Sequence, residues 1–280
     1  MSIAVLLPAY NEEKTIEDIV LKCLKYVDKV FVINDGSIDN TSELASRSGA
    51  EVLDYNVNHG KGSALRAGFS KAKDYDIIIT IDADGQHDPD EIPIIIKPIQ
   101  DGVADIVNGS RYLKGNDRNT PKYRRLGQIV LDTLTNLSSG IKLTDTQSGF
   151  RAFSNKILDV FKFEKDGFGI ESEMIIDAAN NNIRITEVEI SVKYDVDSST
   201  DNPITHGFSV LIKILSDMAK YKIYYLYMVI GIGLISLAVV LYLLLMLFGI
   251  FNLFELNIVL VLGVLLVFIG MIMMIFKKGG

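Results

Sequence analysis

The sequence predicts an α/β chain: a mainly parallel sheet covered by helices on both faces, followed by a two-helix membrane hairpin. Three observations predict it. Apolar, β-branched runs alternate with amphipathic stretches, the order of a parallel sheet with right-handed crossovers. Those runs lack apolar–polar alternation, as strands buried on both faces do. Near the carboxyl end, two stretches without a charged residue, Ile223 to Phe254 and Leu256 to Phe276, each exceed the roughly 20 residues a helix needs to cross a bilayer.

In chain order, Ile3 to Leu7 reads as the first buried strand. It lacks the basic start and the long apolar run of a signal peptide. Val30 to Asn34, Glu51 to Leu53, Ile77 to Ile81 and Asp105 to Asn108 read as the following strands. Between them Glu12 to Tyr26, Thr41 to Ser48, Lys61 to Lys73 and Asp90 to Gln100 read as helices, the last disturbed by Pro93 and Pro98. After Arg111 the pattern loosens into a basic, Gly/Asn-containing stretch to Arg125. Leu126 to Leu137 and Ile170 to Ala179 then read as helices, and Ile183 to Tyr194 as a strand. Gly207 to Lys220 repeats apolar residues at helical spacing, and reads as a helix lying in the membrane surface or packed on the domain. These readings divide the chain into a catalytic domain (1–204), an amphipathic interface helix (205–222) and a hairpin (223–280) with spans of about 223–250 and 256–276.

The 280 residues carry a net charge of −7, which argues against nucleic acid as a partner. The mean hydropathy of +0.27 comes mostly from the last quarter of the chain. One cysteine, Cys23, cannot form an internal disulfide and fits a reducing compartment. Lys213, Lys220 and Lys222 precede the first span, and Lys277 and Lys278 follow the second, whereas the connecting segment carries Glu255 and no basic residue. The positive-inside rule therefore predicts a two-pass membrane protein with catalytic domain and carboxyl terminus in the cytoplasm.

The chemistry concentrates where strands end. Asp82-Ala83-Asp84-Gly85-Gln86 closes the Ile77–Ile81 strand and sets two carboxylates at the edge where open α/β sheets bind ligands. Such oxygens suit Mg²⁺ or Mn²⁺, which can neutralise a departing nucleotide diphosphate. An EF-hand loop does not fit, because His87 and Pro93 stand where that template needs Gly and Glu. Asp88 before Pro89 reads as a helix cap. Pro8-Ala9-Tyr10-Asn11-Glu12 opens a helix whose free N–H groups favour anions; Tyr10 could stack on a base and Glu12 could bond a ribose. Asn34-Asp35-Gly36-Ser37 offers a carboxylate to base or ribose donors. Gly60-Lys61-Gly62 lets the backbone approach a ligand, with Lys61 on a phosphate or simply solvated; it is neither a complete dinucleotide fingerprint nor a P-loop. Arg111 is placed to hold a diphosphate. Pro121-Lys122-Tyr123-Arg124-Arg125 reads as a phosphate pocket or as a patch facing anionic lipid. Asp145 could act as a general base on a hydroxyl acceptor, in a polar loop running to Arg151.

Together, Pro8–Glu12, Asn34–Ser37, Asp82–His87, Gly109–Arg111 and Ser148–Arg151, in this order, resemble family 2 glycosyltransferases, and within them the dolichyl-phosphate mannose and glucose synthases. The resemblance covers roughly Ser2 to Lys222. It implies a Rossmann-like GT-A fold and an inverting transfer of a hexose from a UDP- or GDP-linked donor, such as GDP-mannose, to a polyprenyl or dolichyl phosphate. It also implies metal ligation by Asp82, Asp84 and Gln86, nucleotide contacts at Pro8, Tyr10, Glu12 and Asp35, phosphate contact at Arg111, and an acceptor-phosphate site at Arg124, with Arg125 as substitute. The loop 195–206 departs from that subgroup in being acidic. Two rival readings remain: transfer to a sugar or lipid hydroxyl, weakened by the lack of any tryptophan, and an inert membrane scaffold that kept a nucleotide pocket, which the intact acidic motif opposes.

Overall fold

The computed structural model describes residues 1–113, 122–162, 169–193, 223–247 and 254–278, the side chains of 122–124, 126, 223–226, 244–247, 254–256 and 274–278 excepted. The chain divides into two compact units, Met1–Ile214 and Leu215–Gly280.

In the first unit the strands are β1 (Ile3–Ala9), β2 (Lys29–Asp35), β3 (Glu51–Tyr55), β4 (Ile77–Thr80), β5 (Ile106–Ser110), β6 (Arg151–Ser154) and β7 (Ile185–Glu189). The helices are α1 (Ile16–Cys23), α2 (Thr41–Arg47), α3 (Lys61–Ala72), α4 (Ile92–Gln100), α5 (Lys122–Ser139) and α6 (Ile170–Asn180). The strands form one seven-stranded sheet in the order β3-β2-β1-β4-β6-β5-β7. Every neighbouring pair is parallel except those made by β6, which runs antiparallel to both β4 and β5.

Successive residues of one strand enter opposite layers, as the two-residue period of a strand requires. Ile3, Val5, Leu7 and Ala9 join one core with Ile16, Ile19, Val20, Ile92, Ile95 and Ile99. Ala4 and Leu6 join the other with Ala64, Leu65, Phe69, Ile170 and Met174. In the second core Phe153 meets Phe69 and Phe161 edge-to-face, at centroid distances of 5.2 and 5.6 Å.

β7 is shorter than the Ile183–Tyr194 strand read from the sequence and α5 is longer than Leu126–Leu137, and three further differences bear on the site. The first helix starts at Ile16 rather than Glu12, because the preceding backbone is tied to the β2–α2 loop. Asn11 (φ 56°) donates its N–H to Ser37 Oγ, and Glu12 donates to Thr41 Oγ1. The Asp90–Gln100 segment opens with a 3₁₀ turn, Pro89–Glu91, which Asp88 caps by accepting from Asp90 N at 3.1 Å. Most consequentially, the Asp145–Arg151 stretch is not all loop: Arg151 begins β6. Four wholly buried residues led by an arginine carry no strand signal of their own.

The second unit contains α7 (Ile223–Leu247) and α8 (Phe254–Lys278), of 25 residues each. They pack through glycines: a Cβ on Gly231 would lie 2.5 Å from Gly263 O, and one on Gly263 2.8 Å from Gly231 O. Among the described residues no helix is long and apolar enough to cross a membrane. The interface helix read over Gly207–Lys220 and the acidic loop 195–206 lie outside the described residues.

The aromatic triad yields a stability prediction. Phe153→Ala is expected to lose about 3–5 kcal/mol, the usual cost of deleting a fully buried ring. Guanidinium unfolding of the detergent-solubilised chain measures it, and a loss below about 1 kcal/mol would contradict the packing described.

Candidate active site

Parallel pairing brings the carboxyl ends of β1, β2, β4 and β5 to one edge. Because β6 is antiparallel, its amino end arrives at the same edge, with Arg151 opposite Thr80 and Asn108. The loop preceding β6 therefore faces the acidic motif. Thr80 Oγ1 donates to Gly149 O at 3.0 Å. A Cβ on Gly149 would fall 2.2–2.3 Å from the atoms of the Asp82 carboxylate, so only glycine leaves that carboxylate its room.

Asp82 and Asp84 differ in charge state by surroundings. Burial works against ionisation of Asp82, but the Lys61 ammonium, with Arg111, holds its carboxyl below the ordinary range. Lys61 Nζ lies 2.5 Å from Asp82 Oδ1 and 2.6 Å from Glu171 Oε1 on α6. The Asp84 carboxyl is pushed up to about 6, first by burial and then by the neighbouring Asp82 charge. Its Oδ1 accepts from Gln86 N at 3.0 Å, and Gln86 O accepts from Lys193 N at 2.9 Å, which fixes the loop. His87 is buried against Phe150; burial lowers its pKa to about 4, so the ring is neutral, and its Nδ1 is buried without a hydrogen-bond partner.

This donor set fits a hard divalent cation. Two carboxylates and an amide oxygen are oxygen ligands of the kind Mg²⁺ and Mn²⁺ take, and a crowded like-charge pair is what a dication relieves. Among the described residues no group of three or more His, Cys, Asp or Glu is arranged to hold a metal. A two-carboxylate set suits Mg²⁺, which keeps waters and substrate phosphates as its other ligands.

The remaining residues singled out in the sequence are disposed as follows. Pro8 sits in β1, and Tyr10, 42% exposed, stands just beyond it. The amides of Asn11, Glu12 and Glu13, expected to be open to an anion, instead donate to Ser37, Thr41 and Asp39. Asp35 accepts from His59 N and Gly60 N at 2.8 and 2.7 Å, and so braces the turn that presents Lys61. Lys61 is not fully solvated; it is half-buried and paired with two carboxylates. Arg111 chelates Asp145, Nε to Oδ2 at 2.6 Å and Nη2 to Oδ1 at 2.7 Å. Burial opposes the charge of Asp145, yet Arg111 keeps its carboxyl below the ordinary range, a poor state for a general base. Arg151 is wholly buried and donates to Asn108 Oδ1, Glu171 O and Thr146 O at 2.9, 2.8 and 2.8 Å. Arg125 lies on α5 beside Asp132, whose carboxyl burial pushes up to about 6. Arg124 lies in the first turn of α5, and its side chain is outside the described residues.

Sequence reasoning missed Glu171, Asp132 and the backbone role of Gly149. A signal existed for the first: Glu171 and Glu173 fall in a helical stretch that carries Ile170, Met174, Ile175 and Ile176, and acidic residues are seldom buried without partners.

The sequence model of the family described as Glycosyl transferase family 2 matches residues 4–161. The chain is 32% identical over 254 residues to a UDP-N-acetylglucosamine–dolichyl-phosphate N-acetylglucosaminyltransferase of Methanococcus voltae, covering 82% of this chain and 96% of that protein. It is 30% identical to an undecaprenyl-phosphate mannosyltransferase of Micrococcus luteus, covering 68% and 83%. Among solved structures, glucosyl-3-phosphoglycerate synthase from Mycobacterium tuberculosis, in complex with Mn²⁺, UDP-glucose and phosphoglyceric acid, matches with a TM-score of 0.62 at 27% identity, covering 78% of this chain and 80% of that one.

The Asp84 environment gives a pH-dependent prediction. Its folded pKa stands above the ordinary 3.8, so the stability linked to it is fully present below that value and is lost as pH rises through about 6. Asp84→Asn is expected to stabilise the chain at pH 7.5 by about 1–3 kcal/mol, with the gain vanishing near pH 4. Chemical unfolding in EDTA at the two pH values measures this; no gain at pH 7.5 would sink the like-charge account.

Proposed function

Because the chain belongs to glycosyltransferase family 2, we propose that it moves a hexose from a nucleotide sugar to a polyprenyl phosphate at a membrane, with inversion at the anomeric carbon. The single observation that carries the reading is the half-buried Asp82/Asp84 pair at the carboxyl edge of the sheet, Asp82 packed against Gly149 and neutralised on one side by Lys61. Two similar proteins bear names that specify dolichyl or undecaprenyl phosphate, and a structural neighbour was solved with Mn²⁺ and UDP-glucose. Both support the acceptor and donor classes assigned here.

In this reading Asp82, Asp84 and Gln86 hold Mg²⁺ or Mn²⁺. Bound there, the ion supplies charge neutralisation to the donor diphosphate. Tyr10 and Glu12 flank the nucleoside end, and Asp35 shapes that pocket through the Gly60 turn. Arg111 meets the diphosphate, its orientation fixed by Asp145. Arg124, with Arg125 one residue on, receives the acceptor phosphate. An oxygen of that phosphate forms the new bond to the anomeric carbon as the bond from that carbon to the diphosphate oxygen breaks, the electron pair leaving with the nucleoside diphosphate. A phosphate is already ionised near neutral pH, so no general base is required, in keeping with an Asp145 engaged by Arg111. The charge-free runs 223–254 and 256–276 are read from the sequence as two bilayer spans, because each exceeds the roughly 20 residues a helix needs to cross a hydrocarbon core of about 30 Å. Exposed Leu237, Leu243, Val261 and Phe268 would face lipid, and the lysines at the outer ends put the catalytic domain on the cytoplasmic side.

The test is a donor panel. The detergent-solubilised protein receives Mn²⁺ or Mg²⁺, dolichyl phosphate, and labelled UDP-glucose, UDP-N-acetylglucosamine or GDP-mannose in turn. Label is expected in the organic phase with one donor, and EDTA is expected to abolish it. Asp84→Ala is expected to lower turnover at least 100-fold while the chain stays folded. Nucleotide release without lipid label would move the acceptor assignment to a hydroxyl compound, and full activity of Asp84→Ala would remove the metal assignment.

A further inference from the structure

Two guanidinium groups from separate parts of the chain converge on one aromatic ring. Tyr112, directly after Arg111, is 5% exposed. The guanidinium carbon of Arg125 lies 3.8 Å from its ring centroid, and that of Arg111 lies 5.3 Å away. The Tyr112 backbone is fixed, since its N–H donates to Ser110 Oγ at 3.1 Å and that hydroxyl is 2.6 Å from Thr144 Oγ1. Each arginine also has a carboxylate behind it. Asp145 chelates Arg111, and Asp132 Oδ2 stands 3.5 Å from Arg125 Nη1. Gln128 Nε2 reaches toward both carboxylates, at 3.3 Å from Asp132 and 3.5 Å from Asp145. The arginine side chains keep 16% and 23% exposure; in Arg125, Nε and Nη1 are buried, so a ligand would reach that cation from its Nη2 side.

A ring that served only to fill the core would not gather two like charges. Guanidinium groups repel each other, and the repulsion grows in a poorly solvated site. The negative face of an aromatic ring and two carboxylates offset it. What remains is a pair of cations at a set separation, which is what two anionic reactants need in order to approach each other.

We propose that Tyr112 is a positioning residue: its ring fixes the spacing of two phosphate-binding arginines, Arg111 for the donor diphosphate and Arg125 for a phosphate on the acceptor. This rests on the lipid-phosphate reading above, and it adds to that reading a single platform shared by the two substrates. The ring takes no part in bond making. It governs how well two phosphates are held together.

The test compares Tyr112→Phe with Tyr112→Leu in the full-length, detergent-solubilised protein. Phe keeps the ring face, and KM for the lipid phosphate is expected to stay within about twofold; Leu removes the face, and KM is expected to rise about tenfold with a smaller change in kcat. The affinity for UDP or GDP, read by calorimetry without any acceptor, is expected to fall several-fold in the Leu variant alone. Thermal unfolding of both variants guards against a merely structural effect, and Tyr112→Met stands in if the Leu variant fails to fold. A Leu variant with unaltered KM and nucleotide affinity overturns the platform, as does an equal loss in the Phe and Leu variants. Absence of lipid label with the unaltered protein overturns the acceptor reading instead. The nucleotide-affinity comparison then judges the Tyr112 role by itself.

Discussion

The guanidinium of Arg151 is the constraint on which the site's geometry depends. A cation placed in a fully buried position loses several kcal/mol of hydration. The fold accommodates it only because three acceptors converge on it: the Asn108 side chain of β5, the Thr146 carbonyl of the loop before β6, and the Glu171 carbonyl of α6. Those bonds locate two things at once. They hold the 145–150 loop so that Asp145 meets Arg111 and Gly149 lies against Asp82. They also hold the start of α6, so that Glu171 reaches Lys61 and Lys61 reaches Asp82. The acidic motif is thus positioned from two directions by one buried side chain. Asn108 adds a further link, donating to Asp145 O at 2.7 Å and to Glu187 Oε1 on β7 at 3.2 Å.

Charges alternate across the pocket floor, and each has a partner of opposite sign except where function asks otherwise. Asp82 is matched by Lys61, Asp145 by Arg111, and Arg125 by Asp132 together with an aromatic face. Asp84 is the exception: burial, and after it the like charge of Asp82, raises its carboxyl to about 6. Active sites commonly retain such locally unfavourable groups, at the expense of fold stability.

Much of this was legible in the sequence. The first five strands were readable because runs such as Ile77–Ile81 are apolar, β-branched and bounded by turn residues. The acidic motif was readable because carboxylates directly after such a run can only sit at the sheet edge. The helix read over Lys61–Lys73 is present as Lys61–Ala72, and the Asp88 cap followed from Pro89. What escaped were features that depend on distant partners. β6 has no local signature, since Arg151 in a strand makes sense only when Asn108, Thr146 and Glu171 surround it. The amides near Glu12 looked available to an anion because nothing local revealed that Ser37 and Thr41 would take them. Lys61 was readable only as a phosphate contact or a solvated lysine, because its carboxylates come from a residue 21 positions away and from another helix.

The placement of β6 also sets an order on the birth of the fold. β4 and β5 are complete by Ser110, yet they are not neighbours; the strand that joins them begins only at Arg151. A chain emerging from the ribosome can therefore zip β3, β2, β1 and β4 together early, while the rim of β4 stays unpaired and able to recruit a stray strand. Closing the gap means ordering a long connecting segment before the pairing rewards it. The catalytic edge comes into being only at that late insertion, so a partly synthesised chain has a sheet but no chemistry.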